Sequence, residues 1–201
     1  MPRQKSDYFL FPLVNTNFFP STTKPLQIFE ERYVQMIQDS IAQRRPVALC
    51  FVPDGSSEIR SVAGFGYPQV VEKRPDGTMI IFINCIGKVD LDLNQLKAID
   101  PYMVSSGLVI EQNLDVTEEN KTMYFKLSQV LARWIKKNVP DPAQTEIFLR
   151  SLIGPQEVVS AFSAYLVMDY DIQYELMQIH SINEQIRFLY TLLESGELTN
   201  K

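Results

Sequence analysis

Through its first half the chain alternates short apolar runs with polar, turn-rich breaks, a spacing that suits strands. Residues 8–14 and 25–29 form the first two runs, separated by a loop that carries Asn15, Asn17, Pro20 and Ser21. Residues 46–52 are apolar almost without a break, as expected of a strand buried on both faces. Residues 59–67 contain Gly64 and Gly66, which inside a strand mark a bulge or a barrel corner. Residues 70–73 and 78–83 flank Arg74-Pro75-Asp76-Gly77, a hairpin turn in which glycine accepts a positive φ. Two further runs cover 88–93 and 102–112. A single helix interrupts the series, from Glu30 to about Gln43. Its Tyr33, Met36, Ile37 and Ile41 are spaced to form one buried face, and Glu30-Glu31 suits the positive end of the helix dipole.

From about Thr117 the period changes from two to three and four. Met123, Leu127, Val130, Leu131 and Trp134 predict an amphipathic helix to about Lys137. Asp141 followed by Pro142 reads as an N-cap with proline in the first turn, and Gln144 is placed for a capping box. That helix is expected to end at Gly154, with Pro155 starting another to about Val167. A shorter helix is assigned to 172–178. Ser181 and Glu184 form a capping box before a last helix, in which Ile182, Ile186, Leu189 and Leu193 share a face. The predicted fold is therefore α+β: a partly closed β-barrel with one helix over 1–115, then a bundle of about four helices over 116–201. No internal repeat or low-complexity segment is apparent.

Composition adds constraints. Apolar residues at 45% and charged residues at 21% are ordinary for a globular protein. The net charge of -5, with basic residues in isolated pairs, argues against nucleic acid or an anionic membrane as partner. Cys50 and Cys85 lie inside apolar runs and read as buried, reduced thiols. Two cysteines and one histidine, His180, do not make a zinc site of the usual kind, so no metal and no cofactor is expected. There is neither a secretory signal nor an apolar stretch of about twenty residues, so a cytoplasmic protein is expected.

The opening segment, FPLVNTNFFPSTTKPLQIFEERY over 11–33, resembles that of the Lon protease N-terminal domain, in which an FPL strand, an FP dipeptide and a PLxIFExRY segment follow one another. The resemblance continues through VVEKRPDGTMIIF (70–82), similar to the family's strand, L-P-D-G turn and strand, and into the helical end over 171–193. Ser61-Val62-Ala63-Gly64 stands where the family has an xVGTxA strand, with glycine arriving late and the threonine missing. Asn84 to Val89 agrees only loosely with an EGxxRxxV-like segment. Ser21 replaces the glycine that usually follows FP. The resemblance implies a PUA-like pseudo-barrel followed by helices, and a domain that binds substrates without chemistry.

Full Lon proteases continue into an ATPase and a Ser-Lys protease domain. No G-x-x-x-x-G-K-[ST] occurs in this chain, and Gly64-Phe65-Gly66 leads to Pro68 rather than to a helix. A non-catalytic protein is therefore expected. His180 beside Ser181 is weighed as a nucleophile–base pair and set aside, because adjacent residues rarely face each other. Asp90 with Asp92, and Asp169 with Asp171, are better explained as a solvated edge or a helix cap than as an ion site. Alternation puts Phe9 and Phe11 on one strand face, the barrel core. Phe18 and Phe19 sit in the loop, where they either pack into the groove between the lobes, the preferred reading, or form an exposed apolar contact surface. Glu31, Arg32, Gln35 and Gln38, on the polar face of the first helix, would rim that surface. The expected partners are unfolded or specific polypeptides, and by resemblance a protease complex. A PUA-like RNA-binding module is the alternative.

Overall fold

The computed structural model describes residues 5–99 and 101–198. It divides into two units, Met1–Ile110 and Glu111–Lys201, against an expected boundary at 115.

In the first unit, period-two alternation produces β1 (Ser6–Val14), β2 (Thr23–Ile28), β3 (Val47–Val52), β4 (Val62–Lys73), β5 (Met79–Leu91), β6 (Lys97–Ile99) and β7 (Tyr102–Ile110), with α1 (Glu31–Gln43) between β2 and β3. β3 lies parallel to β1, and β4, β5 and β7 follow antiparallel until β7 pairs with β1. Five strands thus close a ring, with β2 appended to β5 and β6 to β7. Closure depends on β5 changing neighbours: residues 79–84 pair with β2, and residues 88–91 with β7. On the opposite side of the ring β1 does the same. Its residues 6–10 pair with β7, whereas residues 11–14 pair with β3 alone.

β1 is buried on both faces, and so is β3, as its unbroken apolar run requires. Phe9, Phe11, Val47, Leu49 and Val104 meet Tyr33, Met36 and Ile37 of α1 in one core. Tyr8, Leu10, Ala48, Cys50, Ala63, Phe65, Val89 and Leu91 form the other. Met36 and Ile37 are fully buried, each worth about 1.5–3 kcal/mol relative to an exposed side chain. α1 stops at Arg44, which turns into the left-handed region at φ 50° while its N–H caps the Ile41 carbonyl.

Two expected pairs of strands are single strands. β4 runs through Pro68, and β5 through Gly87. Pro68 is tolerated because β4 pairs with β3 only up to Gly66, so beyond that point its missing N–H can face an open edge. The bulge expected at the glycines is a register shift between Phe65 and Gly66.

The second unit contains α2 (Lys121–Asn138), α3 (Pro142–Ser151), α4 (Pro155–Leu166), α5 (Tyr170–Gln178) and α6 (Ile182–Ser195). Leu127, Leu131 and Ile135 form the buried face of α2, which packs against α4 and α6. The Asp141 carboxylate accepts from the Ala143 N–H, and Asp169 caps α5 through the Asp171 and Ile172 N–H groups. Gly196, at φ 78°, ends α6. Two details depart from expectation. α3 stops at Ser151, three residues before Gly154. Ser181 occupies the N-cap of α6 but makes no side-chain cap bond. Asn183 ties this region down instead, accepting from the Thr117 N–H and the Asn120 amide and donating to the Asp115 carbonyl.

Candidate functional site

The loop between β1 and β2 is pinned at both ends and through its middle. Asn15 N–H donates to the Val52 carbonyl (3.0 Å), and Ser21 N–H to the Cys85 carbonyl (2.9 Å). The Cys85 thiol donates to the Phe18 carbonyl at 3.4 Å. That carbonyl lies directly over Gly64, where a Cβ would stand 1.9 Å from its oxygen. The loop therefore folds inward: Phe18 is 0% exposed and Phe19 2%. Phe18 joins the core with Phe9 and Phe11. Neither phenylalanine can serve as an exposed contact surface. Burial is the preferred reading of the sequence, with Phe18 entering the core of the first unit, and it leaves the exposed-surface alternative without support. An aromatic pair in a polar loop still gains about 1.5–3 kcal/mol per side chain by burial when its backbone has partners.

Between the ends of β1 and β2 lies a groove of about 380 Å³. One wall is residues 11–14 of β1, the other residues 26–29 at the end of β2, with Glu30, Arg32 and Tyr33 at the start of α1 and Val52 and Ser57 beyond. Tyr33 packs on Phe11 with ring centroids 4.4 Å apart, and the Arg32 guanidinium lies 4.6 Å from the Tyr33 ring centre. Arg32 is held by Glu30, with Nη2–Oε2 2.7 Å and Nε–Oε2 2.8 Å. Both side chains are about half exposed, so the pair contributes at most about 1 kcal/mol and mainly fixes position. Burial raises the Tyr33 hydroxyl above its ordinary pKa, with Arg32 opposing. Val14 at 55% exposure and Phe29 at 70% stand open at the two sides. The groove thus offers apolar contact, an aromatic platform and one ion pair. Among its described lining residues there is no histidine, cysteine or lysine.

Of the five residues expected to bind, only Arg32 lines this groove. Glu31 and Gln35 are exposed on α1 but are not among the described lining residues. Phe29 and Val14 were missed, although alternation carried the signal: Ile28 faces the core, so its neighbour Phe29 must face out.

Elsewhere, Cys50 and Cys85 are free and buried, and burial pushes both thiols up to about 12, which leaves them protonated and inert. His180 is exposed. Lys88 was not anticipated. It is 1% exposed within β5, and burial lowers its pKa to about 8, with Cys85 opposing. Among the described residues no group of three or more His, Cys, Asp or Glu is placed to hold a metal ion, and no helix is long and apolar enough to cross a membrane.

A family model described as the ATP-dependent protease La (LON) substrate-binding domain matches residues 7–195. The chain is 21% identical over 203 residues to the Lon protease of Flavobacterium johnsoniae, covering 95% of this chain and 25% of that protein. It therefore spans about a quarter of that relative's length. A Lon N-terminal domain protein from Xanthomonas campestris superposes with a TM-score of 0.71 at 17% identity, over 92% of this chain and 98% of its own. The N-terminal domain of Mycobacterium avium complex Lon protease gives 0.70 at 11% identity, over 94% and 98%.

Proposed function

This chain belongs to the ATP-dependent protease La (Lon) substrate-binding domain family, and from that premise we propose that it recognises exposed polypeptide segments through the β1–β2 groove and does no chemistry itself. Family membership supports a substrate-binding role. The observation that carries the finer reading is the pair of exposed apolar side chains, Val14 and Phe29, flanking a groove floored by Phe11 and Tyr33. Such a groove takes apolar side chains from a chain already unfolded, and the Glu30–Arg32 pair at its rim supplies polar orientation. Affinity is modest unless several segments bind at once, because ordering a flexible peptide costs entropy.

The test is titration with fluorescein-labelled casein, a natively unfolded polypeptide, and separately with RNA, each at two salt concentrations. Casein binding should persist at the higher salt and weaken about tenfold, ~1.4 kcal/mol, in Phe29→Ser, a side chain exposed enough to leave the fold intact. Casein binding that ignores Phe29→Ser would remove the groove from the account. RNA binding that falls steeply with salt, with no casein binding, would replace this function by nucleic-acid recognition.

A further inference from the structure

We propose that the polypeptide enters the groove as an added β-strand on the outer edge of β2, registered on the main chain of Gln27. This rests on the polypeptide-binding reading above and specifies its mode.

The two walls of the groove are the stretches where β1 and β2 each lack a neighbour. β1 loses β7 after Leu10, and β2 has only β5. The two edges do not offer the same groups. Phe9 N–H donates to the Pro46 carbonyl (3.1 Å) and Asn15 N–H to the Val52 carbonyl (3.0 Å). Odd-numbered residues of β1 therefore bond β3, and Pro12 and Val14 present their main chains to the open side. Pro12 has no N–H, and the Val14 carbonyl already accepts from the Thr16 hydroxyl at 3.1 Å. This edge keeps the Pro12 carbonyl and the Val14 N–H, but the acceptor beside that N–H is already engaged.

On β2 the Cys85 N–H donates to the Thr22 carbonyl at 2.9 Å. Continuing by twos along the ladder, Lys24, Leu26 and Ile28 bond β5, while Thr23, Pro25 and Gln27 face outward. Pro25 fits that assignment, since its missing N–H costs nothing on an outer edge. Gln27 is then the outward position beside the groove with both a donor and an acceptor, about 6.8 Å along the strand from the Pro25 carbonyl.

These groups select the occupant. An N–H and two carbonyls at strand spacing, beside an apolar cleft, are complementary to extended backbone carrying an apolar side chain. The prolines on both edges restrict pairing to a few residues. A long strand from a second copy would meet Pro25 within two residues of Gln27, so a short, flexible segment is favoured over sheet-to-sheet association.

The experiment uses the labelled casein of the previous test with two variants and one direct readout. Gln27→Pro deletes the outward N–H, and Gln27→Ala deletes only an exposed side chain. Strand addition predicts casein binding at least tenfold weaker in Gln27→Pro than in Gln27→Ala, which loses the groove-lining side chain but keeps the N–H. In the unaltered protein, casein at saturation should slow hydrogen exchange of the Gln27 amide by about tenfold or more, a readout independent of whether Gln27→Pro folds. Unchanged Gln27 exchange, with binding still sensitive to Phe29→Ser, would overturn strand addition and leave the apolar groove standing. Absence of casein binding altogether would overturn both.

Discussion

Replacing Gly64 by alanine is the sharpest test of how the loop is held. The added methyl would stand 1.9 Å from the Phe18 oxygen, 2.8 Å from its carbonyl carbon and 2.9 Å from the Cys85 sulfur. Ordinary contact begins near 3.4 Å, so the loop must retreat by about 1.5 Å. The obstacle is backbone, which cannot rotate away as a side chain would. Overpacking where side chains can yield costs about 1–3 kcal/mol. Lifting the loop adds partial loss of Phe18 burial, on a scale of about 1.5–3 kcal/mol. The expected destabilisation is about 3–5 kcal/mol, a large share of a typical domain's stability of ~5–15 kcal/mol. Hydrogen exchange followed on peptides from β3 and β4 would read this as roughly hundred- to several-thousandfold faster opening, at ~1.4 kcal/mol per decade. The control is Gly55→Ala, where φ is +69° but nothing lies within 4 Å. It carries conformational strain alone, about 1 kcal/mol. Gly64→Ala costing no more than Gly55→Ala would refute the close-approach argument.

Two further outcomes follow from strain and burial. Ser21 holds φ 60°, a left-handed conformation that costs a non-glycine residue about 1–2 kcal/mol. Glycine returns part of this as lost chain entropy, so Ser21→Gly should raise the Tm by about 1–3 °C in a thermal melt, and a fall would show that the serine side chain matters more than the strain. Lys88 has a folded-state pKa near 8 against 10.5 unfolded, so between those values the unfolded chain binds more protons and stability rises with pH. The buried charge costs about 3 kcal/mol below pH 8 and this is relieved toward pH 10.5. Urea denaturation at pH 7.5 and pH 10 should show that Lys88→Met lacks this alkaline gain, and parallel pH profiles for the two proteins would exclude it.

Much of this architecture was legible where periodicity is strong. The apolar run of β3, the Asp76-Gly77 turn and the Pro142 and Pro155 helix starts all stand within a few residues of expectation, whereas the α1 stripe holds at Tyr33, Met36 and Ile37 but not at Ile41, which is exposed. β6 escaped because Lys97-Ala98-Ile99 is too short to show a period. Pro68 seemed to break a strand because the sequence does not say which side of β4 lacks a partner. The loop phenylalanines were harder still. Their inward turn depends on Gly64 and Cys85, more than forty residues away, and no local pattern encodes that contact. For the same reason the groove was found at β1 and β2 rather than at Phe18 and Phe19.

The ring of strands has a consequence for how the polypeptide acquires its shape in time. β1 is made before the other described strands of this unit, yet one of its two neighbours is β7, with Ser6 paired to Gly107 about a hundred residues later. Joining such distant segments requires loop closure before any pairing energy returns, which slows folding relative to local topologies. On the ribosome, residues 6–10 must wait with one side uncovered until β7 emerges. During that interval the first unit is itself a nascent chain with an exposed strand edge, the kind of segment its groove is proposed to recognise.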